Sequence, residues 1–389
     1  MSAPTTQRSL VTLMLAASLA STIGGLPFNT LPVLLGSLAD SFSLPPADVG
    51  LLGSVCFGGY LLGTLGAPIW MNRLNWRWLT AICAAATATC FALSAQVQAL
   101  QLMYVVWAAI GFFASTMTCL GMRVLVELPH KERAFGVRQG VELSVTAAAL
   151  FALPPLVIAQ YRYPGAALAL AALVALLGLS AWGVPSGPRR AEPAAATAAA
   201  TNPAGRMPAA SWVALAVFWL FLIGNIGLWA FLERIGVALK VGAGEMGLVF
   251  AVLKLLGSVA AFFVAAMGAR VAAGTAWALT LAGLLGGLAL LATAQGFVPY
   301  AAGAWLWEFA FTCGCVLQTA HIARSDASGR AVVLVPAAFA LASMVGPGLA
   351  GKLMGAEGGT TQVLLLALVS SCIPVLVRCL RPVRQVQPA

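Results

Sequence analysis

The sequence predicts an all-α membrane protein of twelve transmembrane helices, arranged as two pseudo-symmetric six-helix bundles. Three observations predict it. Of the 389 residues 61% are hydrophobic and only 8% charged, with a mean hydropathy of +0.95, whereas a soluble domain carries about 25% charged residues. The apolar residues fall into twelve runs close to the roughly 20 residues that cross a hydrocarbon core about 30 Å thick. A single Pro- and Ala-rich stretch, 185–210, separates six runs from six.

Span 1 covers 10–35 and follows Arg8. It stays apolar well past the length of a signal-peptide core, so it reads as an uncleaved first membrane helix. Gly24, Gly25, Pro27 and Pro32 loosen it toward bending. Spans 2 to 6 run over 48–71, 79–95, 102–122, 135–158 and 165–184. Asp48 opens span 2, where an acidic side chain can accept from the free N–H groups of the first turn. The stretch 185–210, with Arg189, Arg190, Glu192 and Arg206, cannot bury itself and reads as a mobile linker between bundles 1–184 and 211–389. Spans 7 to 12 run over 212–232, 245–267, 272–294, 299–320, 331–352 and 362–377. Gly59-x-x-x-Gly63 and Gly351-x-x-x-Gly355 are spaced for close helix packing.

Placing the N-terminus in the cytoplasm puts sixteen of the 21 Lys and Arg residues on cytoplasmic segments; the other five are Arg162, Arg234, Lys240, Lys254 and Lys352. The positive-inside rule then predicts a multi-pass protein of the bacterial inner membrane with both termini cytoplasmic. It also explains the net charge of +10 without a nucleic-acid partner. The eight cysteines lie in or beside apolar runs without a C-x-x-C pair, and His130 and His321 are the only imidazoles, so no disulfide framework, metal site or cofactor is expected. No nucleotide loop or Ser, His and Asp set indicates an enzyme.

The halves repeat one another. Asp48-Val-Gly-Leu-Leu in span 2 answers Glu245-Met-Gly-Leu-Val in span 8, an offset of 245 − 48 = 197 residues. Ile23-Gly24-Gly25-Leu26 in span 1 answers Ile223-Gly224-Asn225-Ile226 in span 7. With the six-plus-six layout, Pro27 and Pro32 in span 1, the run Gly346-Pro347-Gly348-Leu349-Ala350-Gly351 in span 11 and the loop from Glu127 to Gly136, the chain resembles the major facilitator superfamily over essentially its whole length. The loop from Pro68 to Arg77 keeps two arginines of that family's signature, Arg73 and Arg77, but has Asn72 in place of its Asp and Asn75 in place of its second Gly. Trp107 stands where the family's span 4 Arg falls, and span 5 lacks the Gly-Pro pattern common in drug antiporters.

The resemblance implies secondary transport by alternating access, with spans 1, 2, 4, 5, 7, 8, 10 and 11 around a central cavity and 3, 6, 9 and 12 facing lipid. The charges agree independently, since the interiors of spans 3, 6, 9 and 12 contain no Asp, Glu, Lys or Arg. Three charges enter the other spans. Glu308 in span 10 and Lys254 in span 8 each lie nine residues in, about 14 Å deep, so they are expected to meet near the midplane as a substrate-binding or proton-coupling pair or as a permanent ion pair. Glu142 in span 5 lies about 10 Å from the cytoplasmic side; with Arg138 one turn before it, it forms either a gate pair or a proton carrier. Asn29 and Asn225 are candidates to hydrogen-bond substrate or a neighbouring helix. Arg123 with Glu127, and Arg73 with Arg77, are expected as cytoplasmic charge pairs or gating groups, and Glu233 with Arg234 as an interfacial pair at the end of span 7.

The resulting expectation is a monomeric, proton-coupled carrier of a small, partly apolar organic solute able to bear negative charge; the short chain and apolar cavity favour export. The alternatives are an importer of an organic acid or metallophore in the same fold and a transport-inactive membrane receptor or scaffold. The altered motifs suggest the scaffold, and the midplane charges oppose it.

Overall fold

The computed structural model describes residues 4–71, 73–128, 131–187, 207–267, 271–325, 331 and 334–380. The expected linker falls largely on 188–206 and lies outside the described residues, as do Asn72 and His130.

The described residues form thirteen α-helices: α1 (Pro4–Asn29), α2 (Leu31–Phe42), α3 (Pro46–Met71), α4 (Trp76–Ser94), α5 (Leu100–Val126), α6 (Lys131–Ala152), α7 (Ala159–Gly178), α8 (Ala209–Ala238), α9 (Ala243–Met267), α10 (Ala273–Ala292), α11 (Phe297–Ser325), α12 (Val335–Met354) and α13 (Gly359–Leu380). Ten stretches are long and apolar enough to cross a membrane, one of them the 48 residues Gly136–Gly183. That stretch is two spans, because Arg162 (φ 53°, ψ −151°) breaks it. The 29-residue α11 is span 10. Span 1 is α1 plus α2, and spans 2 to 12 follow as α3 to α13.

Proline explains the irregularities. Pro32 cannot donate its share of the helix ladder and Pro27 removes another bond, and between them the backbone breaks at Thr30, whose hydroxyl bonds the Leu26 carbonyl at 2.7 Å. Pro154 and Pro155 likewise lack N–H donors, and the π-helical turn Leu153–Ile158 accommodates them between α6 and α7. At α9 the Gly242 N–H donates to the Glu245 carboxylate at 2.9 Å, so this acidic residue caps the helix start as its position implies.

Two compact units emerge, and each borrows a short segment across the sequence halves. Unit 1 is Met1–Leu44, Leu52–Arg206 and Met246–Leu255; unit 2 is Pro45–Leu51, Met207–Glu245 and Leu256–Ala389. In unit 1, α1 packs on α5 and α6, and α4 on α5 and α7. Gly59 and Gly63 bring α3 onto the backbone of α5, where a Cβ at either would overlap Ala108 or Phe112. A buried polar knot joins four helices, α2, α4, α5 and α7: Trp107 donates to the Tyr163 hydroxyl (3.1 Å), which donates to Ser94 (2.9 Å), while the Tyr163 N–H donates to Ser41 (3.0 Å). Trp107 is thus part of the packing between α5 and α7.

In unit 2, α8 packs on α12 and α13, and α10 on α11. Gly351 meets Gly50 and Pro46, so a first-turn segment of α3 belongs to this unit by direct backbone contact. The apolar window of α8 is 78% buried and that of α10 only 28%, as expected for a central span and a lipid-facing one.

Candidate functional site

The polar residues of unit 1 converge on Glu142. On α6, Arg138 lies one turn before it and donates Nη2 to Glu142 Oε2 at 2.6 Å. On α1, Asn29 donates Nδ2 to the other oxygen, Oε1, at 3.2 Å. Ser21 accepts from Arg138 Nε at 2.7 Å, so α1 holds both members of the pair. Gly25 supplies the space, because a Cβ there would overlap the Glu142 carboxylate. Glu142 is 8% exposed and Asn29 7%; at that burial a carboxylate needs such partners.

Lys254 reaches the same region from α9. Its Nζ lies 5.7 Å from the centroid of the Phe28 ring, within cation–π range. Phe28 packs edge-on to Phe57 (5.7 Å between centroids), and Phe57 tilts against Tyr60 (6.1 Å). Tyr60 in turn donates to Thr118 at 2.9 Å. A cation, an ion pair, an amide and three aromatic rings therefore share one neighbourhood.

In unit 2, neighbouring residues of α11 go different ways. Trp307 donates Nε1 to Asn225 Oδ1 at 2.9 Å, and Asn225 Nδ2 donates to the Phe221 carbonyl (2.8 Å) and to Ser371 (3.2 Å). Asn225 is fully buried with its hydrogen-bonding capacity taken up. Trp307 and Phe221 sandwich Phe311, with rings 5.5 and 5.6 Å away. Glu308, 8% exposed, instead points its carboxylate at α9, where a Cβ on Gly257 would lie 3.0 Å from its Oε1.

The Major Facilitator Superfamily profile matches residues 13–323. The chain belongs to that superfamily. No curated protein sequence matches this superfamily member. Its fold is similar to the crystal structure of the nucleoside transporter NupG (14% identity, TM-score 0.72, 96% of this chain and 98% of that one). It is also similar to a D-xylose-proton symporter (12%, 0.73, 93% and 97%). A bacterial homolog of the human lysosomal transporter Spinster, in an inward-facing and occupied conformation, is similar too (14%, 0.69, 100% and 100%).

The charges at the helix ends of this facilitator are arranged locally. Arg123 pairs with Glu127 at 3.3 Å and lies over the Trp76 ring at 6.0 Å. Asn75 caps α4 by accepting from the N–H groups of Arg77 and Trp78. Arg77 donates Nε to the Val184 carbonyl at 3.2 Å, tying the loop after α3 to the end of the α7 segment, while Arg73 is exposed. Glu233 and Arg234 pair at 2.8 Å, inside α8 and not at its end, because α8 continues to Ala238.

Ser21 and Phe28 were not singled out by the sequence. Ser21 sits among Ser18 and Thr22, both of which bond carbonyls one turn back in their own helix, and nothing in the sequence separates a hydroxyl of that kind from one that accepts from Arg138.

Proposed function

We propose that the chain is a proton-coupled secondary transporter of a small organic solute by alternating access. The observation that carries this reading is the convergence of Arg138 and Asn29 on one buried carboxylate, Glu142, with Lys254 over the ring of Phe28, next to Asn29. Glu142 is the proton carrier and Lys254 the contact for a negatively charged cargo, with Phe28, Phe57 and Tyr60 as its apolar wall. Glu308 is the second carboxylate able to take a proton, Asn225 shapes the wall behind it, and Arg73, Arg77, Arg123 and Glu127 order the cytoplasmic ends. The proposed setting is a monomer of two bundles, 1–184 and 211–389, in a bacterial inner membrane with both termini cytoplasmic; lipid surrounds it and no cofactor takes part.

Two readings of direction follow. The short chain and apolar lining favour export in exchange for protons. Entry of an organic acid with a proton is favoured by the charges: neutralising Glu142 leaves Arg138 and Lys254 as two cations without a carboxylate between them, and Coulomb attraction for an anion then rises.

The test is a thermal-shift screen of organic anions and neutral metabolites against the purified protein, followed by flux into proteoliposomes with and without a pH gradient. Cargo flux that follows the gradient is the expected result, and its polarity distinguishes exchange from co-transport. Unchanged gradient-driven flux in both Glu142→Gln and Glu308→Gln removes proton carriage from these residues, and the absence of any flux returns the chain to a receptor or scaffold role.

A further inference from the structure

Unit 2 contains a second binding feature, on the back of the helix that carries Glu308. A cavity of about 180 Å³ opens between the end of α9, the first half of α10 and the second half of α11. Phe263, Leu279, Leu306, Ala310 and Leu317 are among its lining residues. The hydroxyl of Thr280, which also lines it, is spent on the Ala276 carbonyl at 2.8 Å. Among the described lining residues the other polar side chain is the weakly polar thiol of Cys313, 4.0 Å from the Ala260 carbonyl, so little is left to anchor a hydrophilic cargo. The side chains of Phe263 and Leu279 are 47% and 60% exposed, so the cavity opens onto the surface that faces lipid and is separate from the Glu142 site.

Its dimensions match one leaflet. From Leu306 to Leu317 the groove follows α11 for eleven residues, about 16 Å at 1.5 Å per residue, and half a hydrocarbon core is about 15 Å. Leu306 marks the deep end, two residues from Glu308. Seven residues beyond Leu317, two turns along the same face, stands Arg324 in the last turn of α11. Arg324 is exposed and has no hydrogen bond or ion pair among the described residues. A cation at headgroup depth above an apolar slot of acyl-chain length complements an anionic lipid.

We propose that this crevice seats one acyl chain of an anionic phospholipid of the cytoplasmic leaflet, with its phosphate at Arg324, and that the bound lipid braces α11 from behind. Leu306, Ala310 and Leu317 face the lipid, and Trp307, Glu308 and Phe311 face inward on the same turns of the helix.

The test is native mass spectrometry of the full-length protein after delipidation, titrated with phosphatidylglycerol or phosphatidylcholine of equal chain length. The wild type is expected to retain phosphatidylglycerol preferentially. Arg324→Gln reduces that preference about fivefold, the effect of one basic residue near an anionic headgroup, and Arg324→Lys keeps most of it. Ala276→Phe, which fills the cytoplasmic end of the slot, lowers retention of both lipids, with Tm measured alongside to establish that it folds. Equal retention of the two lipids by the wild type, or a preference unchanged in Arg324→Gln, overturns the proposal; so does undiminished lipid retention by a folded Ala276→Phe.

Discussion

Arg138 and Glu142 form a tight ion pair in unit 1, with side chains 15% and 10% exposed. Removing one member of such a pair strands the other, which costs about 3 kcal/mol, whereas removing both leaves no orphaned charge. Arg138→Leu is therefore expected to lower Tm in detergent, and Arg138→Leu/Glu142→Gln to recover most of the loss; additive losses on melting would show that the two residues are stabilised independently. The pairing of these residues was legible in the sequence, because residues one turn apart on a helix are neighbours. Their facing was less so. Lys254 sits in a helix apolar nearly all round, and such a helix carries no amphipathic stripe from which its rotation can be read. Counting alone matched Lys254 with Glu308 by depth and gave no sign that Lys254 lies over the Phe28 ring.

At the scale of elements, the helices were legible where a run of apolar residues meets a breaker. Pro27 and Pro32 bracket the actual break at Thr30, and Asp48 and Glu245 lie in first turns. Helix ends were less legible, since α8 carries Glu233 and Arg234 inside its final turns: hydrogen bonds end a helix, and hydropathy only marks where lipid contact stops. The spans place the turn between 5 and 6 at 159–164, where the break falls, but its strain was hidden. Arg162 adopts φ 53° and ψ −151°, a region that only glycine enters freely, at a cost of about 1–3 kcal/mol for other residues. Arg162→Gly relieves that strain and gives back about 0.5–1 kcal/mol as unfolded-chain entropy. A net rise in Tm of about 1–2 °C is expected on thermal melting; a fall would mean that the Arg162 side chain contributes more than its backbone loses.

For the whole molecule, composition and charge placement predict a multi-pass helical membrane protein, and the resemblance to the superfamily, carried by layout and motifs, agrees with the family profile over 13–323. What composition does not carry is the exchange of segments between units: Pro45–Leu51 groups with unit 2 and Met246–Leu255 with unit 1. Small residues make this possible, because Gly50 and Gly351 allow backbones to touch. The consequence for function is that Lys254, which belongs by sequence to the second half, shares a unit with Glu142. If Glu142 carries the proton, neutralising it uncouples transport from the gradient without abolishing movement of cargo. The direct measurement is a comparison of gradient-driven accumulation with cargo exchange at equal pH, in proteoliposomes containing wild type or Glu142→Gln. The account predicts that Glu142→Gln retains exchange and loses accumulation, and accumulation by Glu142→Gln equal to that of the wild type would contradict it.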